Sequence, residues 1–249
     1  MSPRAQATAR AAASSDAAGR VTALDWQRIE AELDEVGWST AGTLLAPDEC
    51  RELREAYARP QRFRKRIDMA RHGFGRGQYQ YFAYPLPGLV QDLRTQLYTR
   101  LAPVANRWRR AMRLDAAFPD AHADYLARCH AAGQSLPTPL ILRYGSGDYN
   151  RLHQDLYGEL VFPLQVAVLL SDPRSEFTGG ELVLTEQRPR MQSRADVVPL
   201  AQGEAVVFAV NERPVQGTRG SFRVRMPHGL SRVRSGERYV LGLIFHDAA

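Results

Sequence analysis

Residues 139–170 read PLILRYGSGDYNRLHQDLYGELVFPLQVAVLL and consist of short apolar runs between glycine, asparagine and proline turn signals. Runs of this length with such flanks are typical of β-strands. The pattern continues to the end of the chain, where the predicted strands are PLILRYG, RLHQD, FPLQVAVLLSD, GGELVLTEQ, DVVPL, EAVVFAV, SFRVRM, HGLSRV and RYVLGLIFH. Eight or nine closely spaced strands without intervening helices predict a β-sandwich or jelly roll over residues 137–249.

The chain before residue 137 has a different character, because its apolar residues recur at helical spacing. Helices are predicted near residues 24–36, 47–58, 88–114 and 119–131. Pro103 predicts a kink or break in the third of them. We expect residues 23–136 to support the strands, with the long helix on an outer face of the sandwich. The predicted fold class is therefore α+β.

Two segments of the N-terminal half show no helical period. Residues 1–22 are mostly alanine, serine and arginine with little to bury, and they are expected to form a disordered extension. Residues 59–87 are basic at one end, aromatic at the other, and contain three glycines. This composition predicts a short β-rich or loop module that lies, like a lid, over another part of the protein.

The composition restricts the class of protein. A chain of 249 residues that is 44% hydrophobic can bury a substantial core, which excludes disordered and collagen-like classes. No apolar run approaches the ~20 residues of a membrane span, so a soluble, cytoplasmic protein is expected. Cys50 and Cys129 stand in no metal-binding spacing and fit free thiols in a reducing compartment. The net charge of +6 is compatible with a polyanionic partner without requiring one.

A candidate metal site lies in the strand region. In an extended segment the side chains at i and i+2 share a face, so His153 and Asp155 can reach one ion. His228, 75 residues later, can supply a third ligand from a distant strand. Two histidines and one carboxylate suit Fe(II) in a site that keeps positions open for substrate and dioxygen. The alternative is that these histidines are ordinary polar residues at strand ends.

The chain contains a second His-x-Asp sequence, His122-Ala123-Asp124, which serves as an internal comparison. It falls in a predicted helix, where side chains at i and i+2 diverge by about 200°. No metal site is therefore expected there.

Two further residues extend the candidate site. Arg238 stands ten residues after His228, at the start of the last predicted strand, and can form a bidentate pair with a carboxylate. Tyr144 stands nine residues before His153 and can donate its hydroxyl to the same ligand. An acid that chelates the metal at one end and pairs with arginine at the other is 2-oxoglutarate. The alternative for Arg238 is an arginine on an exposed strand surface.

RYGSGDYNRLHQD, GGELVL, GEAVVF and HGLSRVRSGERYVLGLIF together resemble the Fe(II)/2-oxoglutarate-dependent dioxygenases over residues 139–247. The resemblance implies a double-stranded β-helix core. It also implies that His153, Asp155 and His228 hold Fe(II), while Arg238 and Tyr144 hold 2-oxoglutarate. Such enzymes use dioxygen to decarboxylate 2-oxoglutarate to succinate and CO2 and oxidise a C–H bond of the substrate.

Two resemblances imply different substrates. The distal half, with Arg238 ten residues after the second histidine, looks like prolyl hydroxylases. It implies hydroxylation of a protein side chain or a small molecule. The proximal half, with Arg-Tyr nine residues before His-Gln-Asp, looks like AlkB-type nucleic-acid demethylases. It departs from them at Leu142, where they have asparagine, and it lacks their paired arginines in the final strand.

From about residue 26 onwards the chain resembles the small bacterial Oxygenase-NA family, including MARHGFGRG, LTEQRPRMQSRA and PVQGTRG. That family has been assigned to oxidative demethylation of damaged DNA. The resemblance favours a DNA-repair demethylase with single-stranded or damaged DNA as partner.

Two sets of residues in the 59–87 module could contact such a substrate. Tyr79, Tyr81 and Tyr84 could stack on a flipped base. Phosphates could be met by Arg62, Arg64, Lys65, Arg66, Arg71 and Arg76. Alternatively, the tyrosines pack the module onto the sandwich and the basic run is a solvated face.

Overall fold

The computed structural model describes residues 17–115, 117–156, 158–218 and 220–249, which form the expected α+β fold. Its helices are α1 (Trp26–Val36), α2 (Pro47–Ala56), α3 (Gly88–Ala111) and α4 (His122–Ala131). All four had been predicted near these positions. Of the kink or break predicted at Pro103, the break does not occur: helix α3 continues through this residue, because burial of its long apolar face outweighs the one backbone hydrogen bond that proline removes.

A further helical segment precedes α1. Residues 17–22 are helical, whereas the sequence predicted a disordered extension through residue 22. Ala17 and Val21 are buried in the core. Arg20 donates to both carboxylate oxygens of Glu49, at 2.6 and 2.9 Å. These contacts tie the segment to α2, and residues 1–16 lie outside the described residues.

The strands in chain order are β1 (Trp38–Thr43), β2 (Phe63–Asp68), β3 (Gly75–Arg76), β4 (Gln78–Phe82), β5 (Leu140–Tyr144), β6 (Tyr149–His153), β7 (Leu164–Leu169), β8 (Phe177–Gly179), β9 (Leu182–Glu186), β10 (Arg194–Val198), β11 (Glu204–Ala209), β12 (Glu212–Gly217), β13 (Gly220–Arg225), β14 (His228–Leu230), β15 (Val233–Gly236) and β16 (Arg238–Leu243). A seven-stranded sheet has the order β1-β11-β7-β16-β5-β4-β2, and a five-stranded sheet has the order β10-β9-β14-β6-β3. Strands β12 and β13 form one small pair, and β15 and β8 form another.

The 59–87 module is part of both main sheets, whereas the sequence predicted a lid-like module lying over another part of the protein. Strand β4 pairs with β5 and with β2, which extends the larger sheet at its edge. Strand β3 pairs with β6 and extends the smaller sheet. The unpaired edges of both sheets therefore determine where the module lies.

The larger sheet has one face against helices and one face toward the smaller sheet. Its outward residues Val166, Val168, Leu241 and Leu243 belong to the same buried cluster as the apolar face of α3. This confirms the predicted position of the long helix. Side chains alternate along a strand, so the neighbouring residues face the gap between the sheets. That gap contains the candidate site.

Two further sequence expectations concern the cysteines and the membrane. Cys50 and Cys129 are both buried free thiols, as predicted. Within the described ranges, no helix has the length and apolar character needed to cross a membrane.

Candidate metal centre and adjoining cavity

His153, Asp155 and His228 meet in the gap between the sheets. Strands β6 and β14 are antiparallel neighbours in which His153 and His228 are direct partners, and their ring centroids lie 4.3 Å apart. Asp155 Oδ1 lies 3.4 Å from His153 Nε2, and Asp155 Oδ2 lies 3.4 Å from His228 Nε2. One ligand atom from each residue lies within 4.8 Å of the others. Among the described residues this is the group of His, Cys, Asp and Glu compact enough to hold one ion.

The second His-x-Asp sequence lies on a helix, as predicted. His122 lies on α4 with its Nε2 2.8 Å from the carbonyl oxygen of Phe245. Its ring stacks on Tyr98, with the centroids 4.7 Å apart. His122 therefore packs α4 onto the sandwich, while Asp124 is exposed.

The protonation states of Asp155 and His228 suit metal binding. Burial opposes ionisation of Asp155, but contacts with His153 and His228 outweigh it and hold the pKa of this carboxyl well below its ordinary range. Burial lowers the pKa of His228 more than Asp155 raises it, so its imidazole is neutral at neutral pH. For His153 the effect of Asp155 outweighs that of burial and raises the pKa, so a metal ion competes with a proton there.

Neighbouring groups orient the two histidine rings. His153 Nδ1 lies 2.8 Å from the carbonyl oxygen of Arg151, where it can donate a hydrogen bond while Nε2 faces Asp155. The ring of Phe208 meets His228 edge to face, with the centroids 4.9 Å apart. Backbone and core packing thus turn both Nε2 atoms toward the same point.

Arg238 and Tyr144 stand opposite each other on β16 and β5, and both are buried. Among the described residues, no carboxylate pairs with Arg238 and its Nε has no hydrogen-bond partner. Burial lowers the pKa of Arg238 to about 10, with only partial compensation from Tyr144 and Glu181. Burial raises the pKa of Tyr144, which keeps the hydroxyl protonated as a donor. A buried cation beside a hydroxyl donor suits a carboxylate supplied by a ligand.

Two glycines make room for these side chains. At Gly77 (φ +129°) a Cβ atom would lie 2.7 Å from Tyr144 Cδ1. At Gly180 (φ +65°) it would lie 2.8 Å from Val233 Cγ2 and 3.0 Å from Arg238 Cδ. Both positions combine a backbone conformation that favours glycine with close contact to the site.

A cavity of about 240 Å³ adjoins the triad and reaches Arg238 and Tyr144. Its walls are mainly apolar and include Leu142, Leu230 and Val240. Such walls exclude water and strengthen the electrostatic interactions of the few polar groups inside.

The four residues predicted to contact substrate occupy different places. Tyr79 lines the cavity. Tyr81 is buried outside the cavity lining, with the Arg64 guanidinium 4.6 Å from its ring centroid. The Tyr84 hydroxyl donates to Asp247 Oδ2 at 2.8 Å, away from the cavity lining. Arg76 is exposed in a separate shallow groove, 3.9 Å from Asp148 Oδ1. These positions therefore do not support base stacking by all three tyrosines.

Sequence reasoning missed most of the cavity lining, including Phe74, Leu156 and Gln165. Phe74 and Leu156 line it and are each about half exposed, at 48% and 50%, so they stand at its mouth. Gln165 lines it from within. The available signals were an aromatic residue between glycines in GFG and a lone polar residue in LQVAVLL.

Comparison with known proteins identifies relatives over most of the chain. A family model, Oxygenase-NA, described as "Oxygenase, catalysing oxidative methylation of damaged DNA", matches residues 77–248. Uncharacterized proteins from two strains of Mycobacterium tuberculosis, CDC 1551 and H37Rv, are each 46% identical over 218 residues. These alignments cover 86% of this chain and 92% of each relative.

Solved structures share the fold at low identity. A 2OG-Fe(II) oxygenase family oxidoreductase from Burkholderia pseudomallei has a TM-score of 0.51 at 16% identity, covering 90% of this chain and 92% of its own. The epimerase SnoN from nogalamycin biosynthesis has a TM-score of 0.53 at 15% identity, covering 88% and 81%. A prolyl 4-hydroxylase from Phytophthora capsici has a TM-score of 0.51 at 14% identity, covering 93% and 64%. At these identities the likeness extends to the double-stranded β-helix fold alone.

Proposed function

The chain belongs to the Oxygenase-NA family and is an Fe(II)- and 2-oxoglutarate-dependent oxygenase, and from this we propose that it removes alkyl groups oxidatively from nucleobases in DNA. The observation that carries the proposal is an exposed aromatic side chain at the mouth of the cavity, flanked by arginines. The family description supports the same substrate class.

We assign Fe(II) to His153, Asp155 and His228, because their ligand atoms converge and because an ionised Asp155 and a neutral His228 suit a metal. We assign 2-oxoglutarate to Arg238 and Tyr144, because the buried guanidinium has no carboxylate partner among the described residues. When bound, the iron, 2-oxoglutarate and dioxygen supply the oxidising power to hydroxylate a C–H bond, with succinate and CO2 as co-products. A hydroxylated N-alkyl carbon then leaves the base as an aldehyde.

The protein's own residues bind 2-oxoglutarate and orient the histidines that hold the metal. Arg238 neutralises the distal carboxylate of 2-oxoglutarate, and the Tyr144 hydroxyl donates a hydrogen bond to it. The Arg151 carbonyl and the Phe208 ring keep the two imidazoles turned toward the metal. The apolar walls exclude water from the reacting carbon.

The mouth of the cavity offers a stacking surface for a base that has left its strand. Phe74 lines the cavity, and the ring of His72 stacks on it with the centroids 5.3 Å apart and an interplanar angle of 22°. The Arg151 backbone amide donates to the Phe74 carbonyl at 2.9 Å, which ties this loop to the strand that carries His153. Stacking on aromatic rings is how proteins hold extruded or single-stranded bases.

Two exposed arginines flank this stacking surface: Arg71 precedes His72 in the chain, and Arg151 is bonded through its backbone amide to Phe74. Arg71 approaches Asp68 only at 4.0 Å, and its side chain is 82% exposed. Such a loose pair contributes little and leaves the guanidinium group available to phosphates. The combination fits a single strand of nucleic acid passing over the mouth.

Hydroxylation of a protein side chain or a small molecule is the second candidate. The observation that favours it is the spacing of Arg238, ten residues after His228, which resembles prolyl hydroxylases. A substrate of this kind would need no basic surface around the cavity.

The test is succinate formation from 2-oxoglutarate with Fe(II) and ascorbate, with a methylated single-stranded oligonucleotide and with its unmethylated counterpart. We expect the methylated strand alone to stimulate turnover, with formaldehyde released in equal amount. Phe74→Ala should weaken the stimulation, whereas Phe222→Ala, which truncates an exposed phenylalanine on β13, should leave it unchanged. Turnover that ignores both oligonucleotides but rises with peptides or amino acids would favour the second candidate.

A further inference from the structure

Gln165 is a buried glutamine in the wall of the cavity. Its side chain lines the cavity, the residue is 8% exposed, and Oε1 has no hydrogen-bond partner among the described residues. Gln154, which also lines the cavity, donates to Asn211 Oδ1 at 2.5 Å. Gln80, which is buried elsewhere, donates to the Tyr57 carbonyl at 2.9 Å. A buried carbonyl oxygen without a donor is costly to folding, which points to a ligand that supplies the donor.

The strand register places Gln165 beside the metal centre and away from Arg238. Gln165 on β7 is the direct partner of Phe208 on β11, and the Phe208 ring contacts the metal ligand His228. Leu169, four residues further along β7, is the partner of Val240, and Arg238 lies beyond Val240. At ~3.3 Å per residue, Gln165 and Leu169 are roughly 13 Å apart along the strand. Gln165 thus stands at the end of the cavity opposite the 2-oxoglutarate carboxylate that Arg238 would hold.

The apolar surroundings of Gln165 leave its amide as the side-chain group that can hydrogen-bond to a ligand at this end of the cavity. Leu140, Phe208 and Ile244 line the same part of the cavity, and none of them offers a side-chain hydrogen bond. Gly242 on the neighbouring strand β16 has no side chain, and Leu140 packs against it, since a Cβ atom there would lie 2.8 Å from Leu140 Cδ2. In an apolar pocket a single acceptor separates ligands that carry an N–H group at that point from ligands that do not.

We propose that Gln165 determines specificity by accepting, through Oε1, a hydrogen bond from the exocyclic amino group of the alkylated base. This inference rests on the proposed function, because the base is the substrate named there. Glutamine amides commonly recognise the amino group of adenine in this way. The enzyme should therefore favour alkylated adenine or cytosine over bases that carry a carbonyl at the same ring position.

The test compares two single-stranded oligonucleotides that differ at one ring substituent. One carries 3-methylcytosine, with an amino group at C4, and the other carries 3-methyluracil, with a carbonyl there. For the unmodified enzyme we expect kcat/KM to be about 10-fold or more higher with 3-methylcytosine. Gln165→Leu should reduce this preference by about 10-fold, through loss of activity on 3-methylcytosine. Comparing the variant with the unmodified enzyme cancels the effect of the different charges of the two bases.

Stability measurements separate this role from a structural one. Gln165→Leu removes an unsatisfied buried group, so its Tm should equal or exceed that of the unmodified protein. Gln80→Leu is the matched control, since it breaks a satisfied buried hydrogen bond. It should lower Tm and leave the substrate preference unchanged. Binding of 2-oxoglutarate should be unchanged in Gln165→Leu.

The outcomes distinguish this inference from the proposed function. A Gln165→Leu enzyme that keeps the full preference, or that loses activity on both oligonucleotides together with a lower Tm, would overturn the role of Gln165 while demethylation stands. An unmodified enzyme that ignores both oligonucleotides would overturn the proposed function and, with it, the assignment of Gln165 to a base.

Discussion

Replacing Arg238 by methionine should make the ligand-free protein more stable and the binding of 2-oxoglutarate weaker. Arg238 is 5% exposed, and burial lowers its pKa from the ordinary arginine value of about 12.5 to about 10. At 1.36 kcal/mol per pH unit, the charged guanidinium costs the folded state ~3 kcal/mol. Because the folded pKa lies below the unfolded one, this cost applies in full at every pH below about 10 and disappears as the pH rises further.

The expected changes in Tm and in 2-oxoglutarate affinity follow from that cost and from the lost interaction with the ligand. Methionine fills a similar volume without charge, so Arg238→Met should raise the Tm of the ligand-free protein at pH 7.5 by about 3–10 °C. Loss of a charge-assisted pair worth about 1.5–3 kcal/mol should weaken 2-oxoglutarate binding roughly 10- to 150-fold. The stabilisation that 2-oxoglutarate gives at a set concentration should fall accordingly.

The assay is thermal unfolding with and without 2-oxoglutarate, together with calorimetric titration of 2-oxoglutarate into protein loaded with redox-silent Mn(II). Arg143→Met is the matched control, since Arg143 precedes Tyr144 on the same strand but pairs with Glu237 at the surface. It should change Tm and affinity little. Unchanged 2-oxoglutarate affinity in Arg238→Met, or a lower Tm without ligand, would refute the reasoning.

Three further perturbations test other parts of the site and its support. Asp155→Ala should abolish succinate formation and metal retention in equilibrium dialysis, whereas Asp124→Ala, in the helical His-x-Asp sequence, should keep both; full activity of Asp155→Ala would show that the ligand set is wrong. Gly77→Ala should displace Tyr144 and destabilise the fold by about 1–3 kcal/mol in denaturant titration, and more than Gly73→Ala, where a Cβ meets nothing within 4 Å; equal effects would contradict the packing argument. Burial raises the pKa of Asp247, but Arg94, together with hydrogen bonds from His130 and Tyr84, holds this pKa below the ordinary value. The ionised Asp247 therefore contributes its full stabilisation above about pH 4. This stabilisation is lost as the pH falls through the pKa of the folded state. Asp247→Asn should therefore flatten the acid side of the curve of Tm against pH, and an unaltered acid side would count against this.

The part of the candidate site that could be predicted consists of residues whose relative orientation is determined within one strand. His153 and Asp155 share a face because side chains alternate along any strand, whatever the strand pairs with. The same local argument placed His122 and Asp124 on a helix, where their side chains diverge. Arg238 and Tyr144 could be selected by their spacing from the histidines and by resemblance. The structure then placed them as direct partners on adjacent strands.

Other features depended on contacts between distant segments. Residues 59–87 lie at the edges of both sheets because β5 and β6 leave edges that β4 and β3 can pair with. Tyr84 faces Asp247, 163 residues away, and so leaves the cavity to Tyr79 and Phe74.

The sequence alone was sufficient for the four helices α1–α4, most of the C-terminal strands, the α+β class and the residue types of the metal triad, because each depends on short-range periodicity and side-chain chemistry. It did not predict the helical residues 17–22 or strands β1, β8 and β12. Only the tertiary structure showed that Phe74 stands at the mouth of the cavity and that Gln165 lines it with an Oε1 atom that no described residue satisfies. The physical reason is that strand register determines which residues lie opposite each other. Register results from the pairing of the whole sheet, so no single segment contains it.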